Sequence, residues 1–257
     1  TFVQVSYFNG DETNPLTAET SDLDGLAVTA GIDRMLEGGL RVGAFLNYTD
    51  GETTFTSSVG GVEVDGISGG LYAAYANENG LNMNGYIGVG SKDITIMHTD
   101  GLTGSMMTGD TEAEEFLLGA ELSRVYGTGN LLFMEPAIGV EYVGLDVDAY
   151  SETGGGAALT IGDQLLSTAQ AYVGSDFHFY NPEDPSPLRP TLGAYWVHDL
   201  ANSGEEVDAE FVGAAASGFT TYGPGTDNSW VELNAQLDYY SSDSLTFSGF
   251  VSQTIGR

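Results

Sequence analysis

The sequence predicts an all-β protein folded as a transmembrane antiparallel β-barrel, and three observations lead to this fold class. Apolar and polar residues alternate in strand-length segments along the whole chain. Short and long connections alternate between these segments, as in bacterial outer-membrane barrels. No apolar run is long enough for a membrane-spanning helix, and a barrel needs none.

The alternation is clearest in residues 40–48. Side chains of a strand point to opposite faces in turn, so one face of this segment is wholly apolar while the other carries Arg41 and Asn47. In residues 229–239 the apolar face is opposed by four polar residues, Glu232, Asn234, Gln236 and Asp238. Such a row would be costly in a packed core. It suits the wall of a water-filled lumen with lipid on the other side.

The same criterion, applied in order along the chain, predicts eleven strands and no amphipathic helix. The strands cover residues 1–9, 24–36, 40–49, 64–77, 80–97, 113–126, 130–145, 164–180, 187–199, 228–240 and 243–256. We expect them to form a single barrel domain over residues 1–257.

The connections justify this order of elements. Short ones are Glu37-Gly38-Gly39, 77–80, Gly127-Thr128-Gly129, 181–186 and Ser241-Ser242. Long ones are 10–23, 50–63, 98–112, 146–163 and 200–227. Outer-membrane barrels place short turns on the periplasmic side and long loops outside, so the N-terminus is predicted to be periplasmic.

Eleven is an odd number, whereas a closed antiparallel barrel needs an even one because an open edge leaves backbone groups unpaired in lipid. We therefore expect a barrel of the 12-stranded type, with a closing strand beyond residue 257. Residues 207–219 alternate weakly and are the alternative, but using them would put a long connection on the short-turn side.

The charge of the chain is strongly acidic, with 6 Lys and Arg against 37 Asp and Glu and a formal net charge of −31. This balance excludes nucleic acid as a partner, because its phosphates would be repelled. Four cations lie beside short turns and form a predicted periplasmic rim: Arg34, Arg41, Arg124 and Arg189. We interpret them as anchors at lipid headgroups, and the acids of the long connections as solubilising groups. In the alternative interpretation, the acidic outer loops weakly bind Ca²⁺ or Mg²⁺ near lipopolysaccharide phosphates, or reflect a salty habitat.

Several segments, taken in order, resemble the strands of autotransporter β-domains, the translocator barrels of type V secretion. Residues 25–36 and 39–48 are similar to the second and third strands, and Gly66-Ile-Ser-Gly-Gly-Leu-Tyr-Ala-Ala-Tyr to the fourth. Residues 135–142 and 188–198 are similar to the seventh and ninth. The resemblance implies a barrel with a long fifth outer loop that can form its own hairpin at 200–227. Family members normally end in an aromatic residue, whereas this chain ends Thr-Ile-Gly-Arg, which agrees with a closing strand beyond it.

The function that this resemblance implies is export of an upstream passenger through the outer membrane of a Gram-negative bacterium. Implied partners are the chain's own passenger with its linker helix, the barrel assembly machinery, and outer-membrane lipid and lipopolysaccharide. A stand-alone porin-like channel or structural barrel without a passenger is the alternative. Alternation assigns these residues to the lumen: Asp33, Arg41, Asn47, Glu135, Glu141, Arg189, Tyr195, Glu232, Asn234, Gln236 and Asp238. A purely structural role, in which Glu135 or Glu141 pairs with Arg41 or Arg189, stays open.

No enzymatic activity, metal site or cofactor is expected. The histidines are His98, His178 and His198, and the neighbour of His198, Asp199, faces the opposite side of its strand. Neither a Gly-x-Ser-x-Gly elbow nor a His/Cys metal-binding spacing occurs. Residues 146–152 resemble a calcium loop only loosely, because the required glycine is missing.

Overall fold

The molecule is built almost entirely of β-strands, as a computed structural model of the chain shows. The structure describes residues 1–13, 20–55, 60–100, 103–127, 132–180, 187–201, 206–212, 218–222, 228–242 and 245–256. The eleven long strands are β1 (Phe2–Thr13), β2 (Thr20–Met35), β3 (Leu40–Phe55), β4 (Gly60–Ala76), β5 (Leu81–Thr99), β6 (Met106–Arg124), β8 (Phe133–Val147), β11 (Gln164–His178), β12 (Leu188–Asp199), β15 (Ser229–Ser242) and β16 (Leu245–Ile255). The short strands are β7 (Tyr126–Gly127), β9 (Tyr150–Ser151), β10 (Leu159–Ile161), β13 (Glu206–Phe211) and β14 (Phe219–Tyr222). Within the described part of the chain, no helix is long and apolar enough to cross a membrane.

The main sheet contains all eleven long strands in sequence order, each antiparallel to the next, with β7 paired to the start of β8. These are the eleven strands that alternation predicts. Short connections support this order, since a short turn can join only neighbouring antiparallel strands. At Glu37–Gly39 the turn is a single 3-10 segment with Gly38 and Gly39 at positive φ (76° and 84°), which glycine adopts without strain.

Several strands extend further toward the long-connection end than predicted. β3 continues to Phe55 and β6 begins at Met106, although alternation places their ends at residues 49 and 113. The ladder is unbroken there, and residues 50–55 pair with both β2 and β4. The predicted ends are wrong because residues alternate only where one face of the strand contacts lipid. A strand that continues into water keeps its hydrogen bonds but loses the apolar face.

The edges of the main sheet are β1 and β16. Both run from the short-turn end toward the long-connection end, and among the described residues neither is paired with the other. A closing strand beyond residue 257 stays a prediction. Residues 207–219 do not fill this gap, because β13 lies in a second sheet.

This second sheet has the strand order β14-β13-β10-β9 and stands at the long-connection end. Its β13–β14 pair is a hairpin within residues 200–227, as the resemblance implied. β9 and β10 come from the connection between β8 and β11, and this connection also docks on β6 through a bridge between Thr108 and Thr153. Met107, 1% exposed, is buried beneath the docked segment beside Gly155.

The two faces of the main sheet differ sharply. Side chains from strands that are not neighbours meet on one face, which is therefore the concave inner face; for example, Tyr172 of β11 donates to Glu121 of β6 across β8. The other face is apolar and open, with Leu46, Leu71 and Val89 each at least 60% exposed. Exposed apolar surface on this scale marks a surface that contacts lipid or protein.

Candidate functional site

The middle of the inner face carries an acid–tyrosine network, by which we mean Tyr86, Glu121, Glu141, Tyr172, Asp176, Tyr195 and Glu232. Tyr172 donates to Glu121 at 3.0 Å, and Tyr86 donates to Glu141. Tyr195 donates to Asp176, and its ring lies edge-on to Tyr172 at 5.8 Å between centroids. The carboxylates of Glu121 and Glu232 both act electrostatically on Glu141, so acids from β6, β8 and β15 converge.

Glycines opposite the tyrosines hold this network in place. Gly119 pairs with Tyr86, and Gly139 pairs with Tyr172, in the cross-strand register. A Cβ added to Gly139 would lie 2.2 Å from the Tyr172 ring. Each ring therefore lies flat over a neighbouring backbone, which fixes the direction of its hydroxyl. Cross-strand pairs of this kind also stabilise the sheet, because the ring covers the glycine.

A second cluster surrounds Glu135 nearer the short-turn end. Ser123 and Asn82 both donate to Glu135 Oε1 at 2.6 Å, and His178 Nε2 lies 2.9 Å from Oε2. The structural alternative considered from sequence was an arginine partner for Glu135 or Glu141. Among the described residues, Glu135 is hydrogen-bonded to His178 and not to an arginine, and Glu141 accepts from Tyr86.

Sequence reasoning missed a third cluster, which is formed by Ser68, Lys92 and Glu115. Lys92 is 6% exposed and its Nζ lies 3.4 Å from Glu115 Oε2 and 3.2 Å from Ser68 Oγ. Ser68 also donates to Glu115. A buried ammonium needs such partners, because an unpaired one would be very costly. One feature of the sequence does point to this site: Lys92 is the one lysine of the chain, and alternation puts it on the same face as Tyr86.

In the ladder of strands, the eleven residues predicted for the lumen share the concave face of the main sheet, and their lining of a lumen stays a prediction. Asp33 lies 3.7 Å from Arg41 Nε and accepts from Tyr72 at 3.1 Å. Asn47 donates to Thr29 at 2.8 Å. Toward the other edge, Ser252 donates to Glu232 at 2.9 Å, and Gln236 donates to Asp238 at 2.9 Å. Asn234 lies between these two pairs on β15. The inner face is thus polar from one edge of the sheet to the other.

The four predicted rim cations all lie at the short-turn end, but they divide between the faces. Arg41 and Arg189 project inward, and the Arg189 guanidinium lies over the rings of Tyr240 and Tyr180 at 4.0 and 5.0 Å. Arg34 and Arg124 project outward, and Arg124 lies over Tyr126 at 5.2 Å. The outward pair has the geometry for contact with lipid headgroups.

The acids in the described part of the connection between β8 and β11 do not all point to one place. Glu152 is 4% exposed, and its carboxylate accepts from the Leu159 amide at 2.9 Å and lies 3.2 Å from His98 Nδ1. It therefore anchors the connection and does not join Asp146 and Asp148. Among the residues that the structure describes, no group of three or more His, Asp or Glu side chains is arranged to hold a metal ion.

Comparison with known proteins gives a consistent result. A family model described as "Autotransporter beta-domain" matches residues 1–252. The fold is similar to the translocator domain of the autotransporter NalP from Neisseria meningitidis, with a TM-score of 0.78, 15% identity, and coverage of 99% of this chain and 82% of that one. It is also similar to the β-domain of the Bordetella autotransporter BrkA, with a TM-score of 0.67, 18% identity, and coverage of 98% and 90%. For the transport unit of AIDA-I from Escherichia coli the TM-score is 0.62 at 14% identity, with coverage of 93% and 78%. No curated protein matches the sequence significantly.

Proposed function

The chain belongs to the autotransporter β-domain family, and on that premise we propose that its acid–tyrosine network guides the passenger's linker through the barrel. Members of this family are β-barrels of the Gram-negative outer membrane that mediate export of a passenger to the cell surface. Transport is the family's role, and the proposal includes no catalytic step.

One observation carries the proposal. Glu121 and Glu232 both act electrostatically on Glu141 at the inner wall, and no ion pair among the described residues involves any of these three acids. Like charges this close repel each other, and tyrosine hydroxyls satisfy hydrogen bonds without neutralising charge. A cationic segment in the lumen would stabilise all three. We therefore infer that the linker presents Lys or Arg side chains to this part of the wall.

Site-specific crosslinking tests the proposal directly, because the chain contains no cysteine. Glu141→Cys faces the lumen and Val140→Cys, its neighbour on β8, faces outward. Each would be paired with a single cysteine placed in turn along the linker of the complete protein. A disulfide is expected for Glu141→Cys and not for Val140→Cys. Equal crosslinking of the two variants, or none with either, would contradict a linker held against this wall.

Conductance addresses the alternative of a stand-alone channel. With the linker in place, a translocator of this type should conduct poorly in planar bilayers, and removal of the linker should open it. High conductance of the complete protein from the start would instead favour a channel without a retained linker.

The other proposed partners follow from the outer-membrane setting. We propose that the barrel assembly machinery inserts the sheet and that the outer connections lie beside lipopolysaccharide. Because those connections carry exposed acids such as Asp148 and Asp163, contact with lipopolysaccharide phosphates would need bridging Ca²⁺ or Mg²⁺, bound weakly. The short-turn end would then lie in the periplasm.

A further inference from the structure

The outward face carries an apolar groove near the short-turn end. It crosses β2 to β6 and has a volume of about 980 Å³. This volume lies at the upper end of the range of roughly 300–1,000 Å³ found for small-ligand pockets. Its walls are almost wholly apolar, and one cation, Arg34, stands at its β2 end.

The cross-strand register explains why the groove exists. Arg34, Val42, Ala73, Gly85 and Ala120 are successive partners across five strands, so they form one row. The last three residues of the row, on β4, β5 and β6, have small side chains or none. With strands about 4.8 Å apart, the row from Val42 to Ala120 spans three steps, or about 14 Å.

Larger side chains line both sides of this row. On the long-connection side the parallel row includes Ile32, Leu71, Ile87 and Leu118, all exposed outward. On the short-turn side it includes Tyr75, Met83 and Leu122. The residues that line the groove belong to the central row and to the ridge on the long-connection side, so the groove lies against that ridge. Its shape follows from the ladder of strands.

The groove also has a direction relative to the sheet. Arg34 lies just before the turn at Glu37–Gly39, whereas Ala73, Gly85 and Ala120 lie three or four residues inside the short-turn ends of β4, β5 and β6. The cation therefore sits at the level of the short turns, and the apolar part rises from there into the lipid-facing band.

In the part of the chain that the structure describes, no carboxylate pairs with Arg34. Arg34 is exposed and has no ion pair among the described residues, whereas Arg41 on the next strand pairs with Asp33. In a chain with 37 acidic residues, an outward cation left without a carboxylate favours an anionic ligand from outside the protein. Arginine matches the geometry of a phosphate.

We propose that this groove binds one glycerophospholipid of the leaflet at the short-turn end, with an acyl chain lying along the ridge of Leu71, Ile87 and Leu118 and the phosphate on Arg34. The proposal rests on the proposed function only in requiring that the barrel is inserted in a membrane. A phosphate beside the short turns and a chain rising away from them is the orientation of a lipid in that leaflet. Retention should therefore be specific and stoichiometric, unlike the exchange of lipids elsewhere on the barrel.

Native mass spectrometry of the barrel purified from the outer membrane in mild detergent tests this, with dimyristoyl phosphatidylglycerol as the added probe. The wild-type protein is expected to retain one phospholipid. Arg34→Gln should lower its retention at least about tenfold, as expected for loss of a hydrogen bond to a charged group. The double variant Ala44→Leu/Ala73→Leu, which fills the groove with apolar side chains at two of its lining positions, should lower it similarly.

Matched controls exist on the same outward face. Arg124→Gln removes the other outward rim cation, and Ala194→Leu enlarges an exposed alanine of β12 away from the groove. Both should retain lipid like the wild type. If Arg34→Gln or the filled variant also retains lipid like the wild type, the assignment is overturned.

Heat-modifiable mobility on SDS gels reports separately whether each protein is a folded barrel. Failure of the wild-type chain to reach the outer membrane as a folded barrel would contradict the proposed function. Equal lipid retention by folded variants would contradict only the proposal that the groove binds a phospholipid.

Discussion

His178 lies between Glu135 and Thr191 on the inner wall, with Nε2 2.9 Å from Glu135 Oε2 and Nδ1 2.9 Å from Thr191 Oγ1. The three residues belong to β11, β8 and β12, so this contact joins three strands through side chains. Together with Ser123 and Asn82 it makes Glu135 the acceptor of a polar cluster that links β5 to β12.

Replacing Glu135 with Ala should destabilise the barrel. Three donors would lose their shared acceptor, and each unsatisfied group costs about 1–3 kcal/mol when water cannot replace the partner. Because the lumen admits some water, we expect a total loss near the lower end of that range. Urea unfolding in detergent micelles measures it. Glu78→Ala, at an exposed turn position, is the control and should change the free energy of unfolding by no more than about 0.5 kcal/mol.

Lys92→Ala should lower the free energy of unfolding more than Glu135→Ala does. It leaves Glu115 in a buried site without its cation, and breaking a buried ion pair from one side typically costs about 3–5 kcal/mol. The double variant Lys92→Met/Glu115→Leu removes both charges and should recover much of the loss. Unfolding in urea is again the measurement. If the single variant is as stable as the wild type, the pair does not stabilise the wall.

Gly154→Ala should release the connection between β8 and β11 from β6. Gly154 has a φ of 108°, and an added Cβ would lie 2.3 Å from the Met106 carbonyl oxygen. Strain of this kind costs on the order of 1–3 kcal/mol. Limited proteolysis of intact cells should then cut within residues 148–163 faster. Gly156→Ala has open space around its Cβ and should leave the cleavage rate unchanged.

The same connection should detach at high pH. Burial and then the nearby Glu152 carboxylate raise the pKa of Tyr150 above its ordinary value of 10.0. A tyrosine whose pKa is raised in the docked state favours docking below about pH 10 and loses that contribution as the pH rises through the raised pKa. Absorbance at 295 nm, compared between wild type and Tyr150→Phe, should show one tyrosine ionising late. Ordinary titration of Tyr150 would contradict its burial.

The strands could be predicted from the sequence because lipid on one face imposes alternation. Arg41, Asn47 and Glu232 were assigned to the inner wall for the same reason. Contacts along that wall depend on register, which alternation does not determine. Asn82 and Glu135 are 53 residues apart and meet only because β5, β6 and β8 align as they do. Alternation does not single out Lys92, because its segment, Ser91-Lys92-Asp93, is polar on both faces.

The second sheet gives the outer mouth an uneven stiffness. The strands β9, β10, β13 and β14 join the two connections that flank β11 and β12, and Thr153 ties them to β6. The rim from β6 to β15 is therefore cross-linked by hydrogen bonds. A bulky segment that passes through the outer opening would be resisted by the hydrogen-bonded strands on that side. The lumen would then widen by movement of the opposite arc, from β1 to β5, so that the elasticity of the exit is concentrated in one half of its circumference.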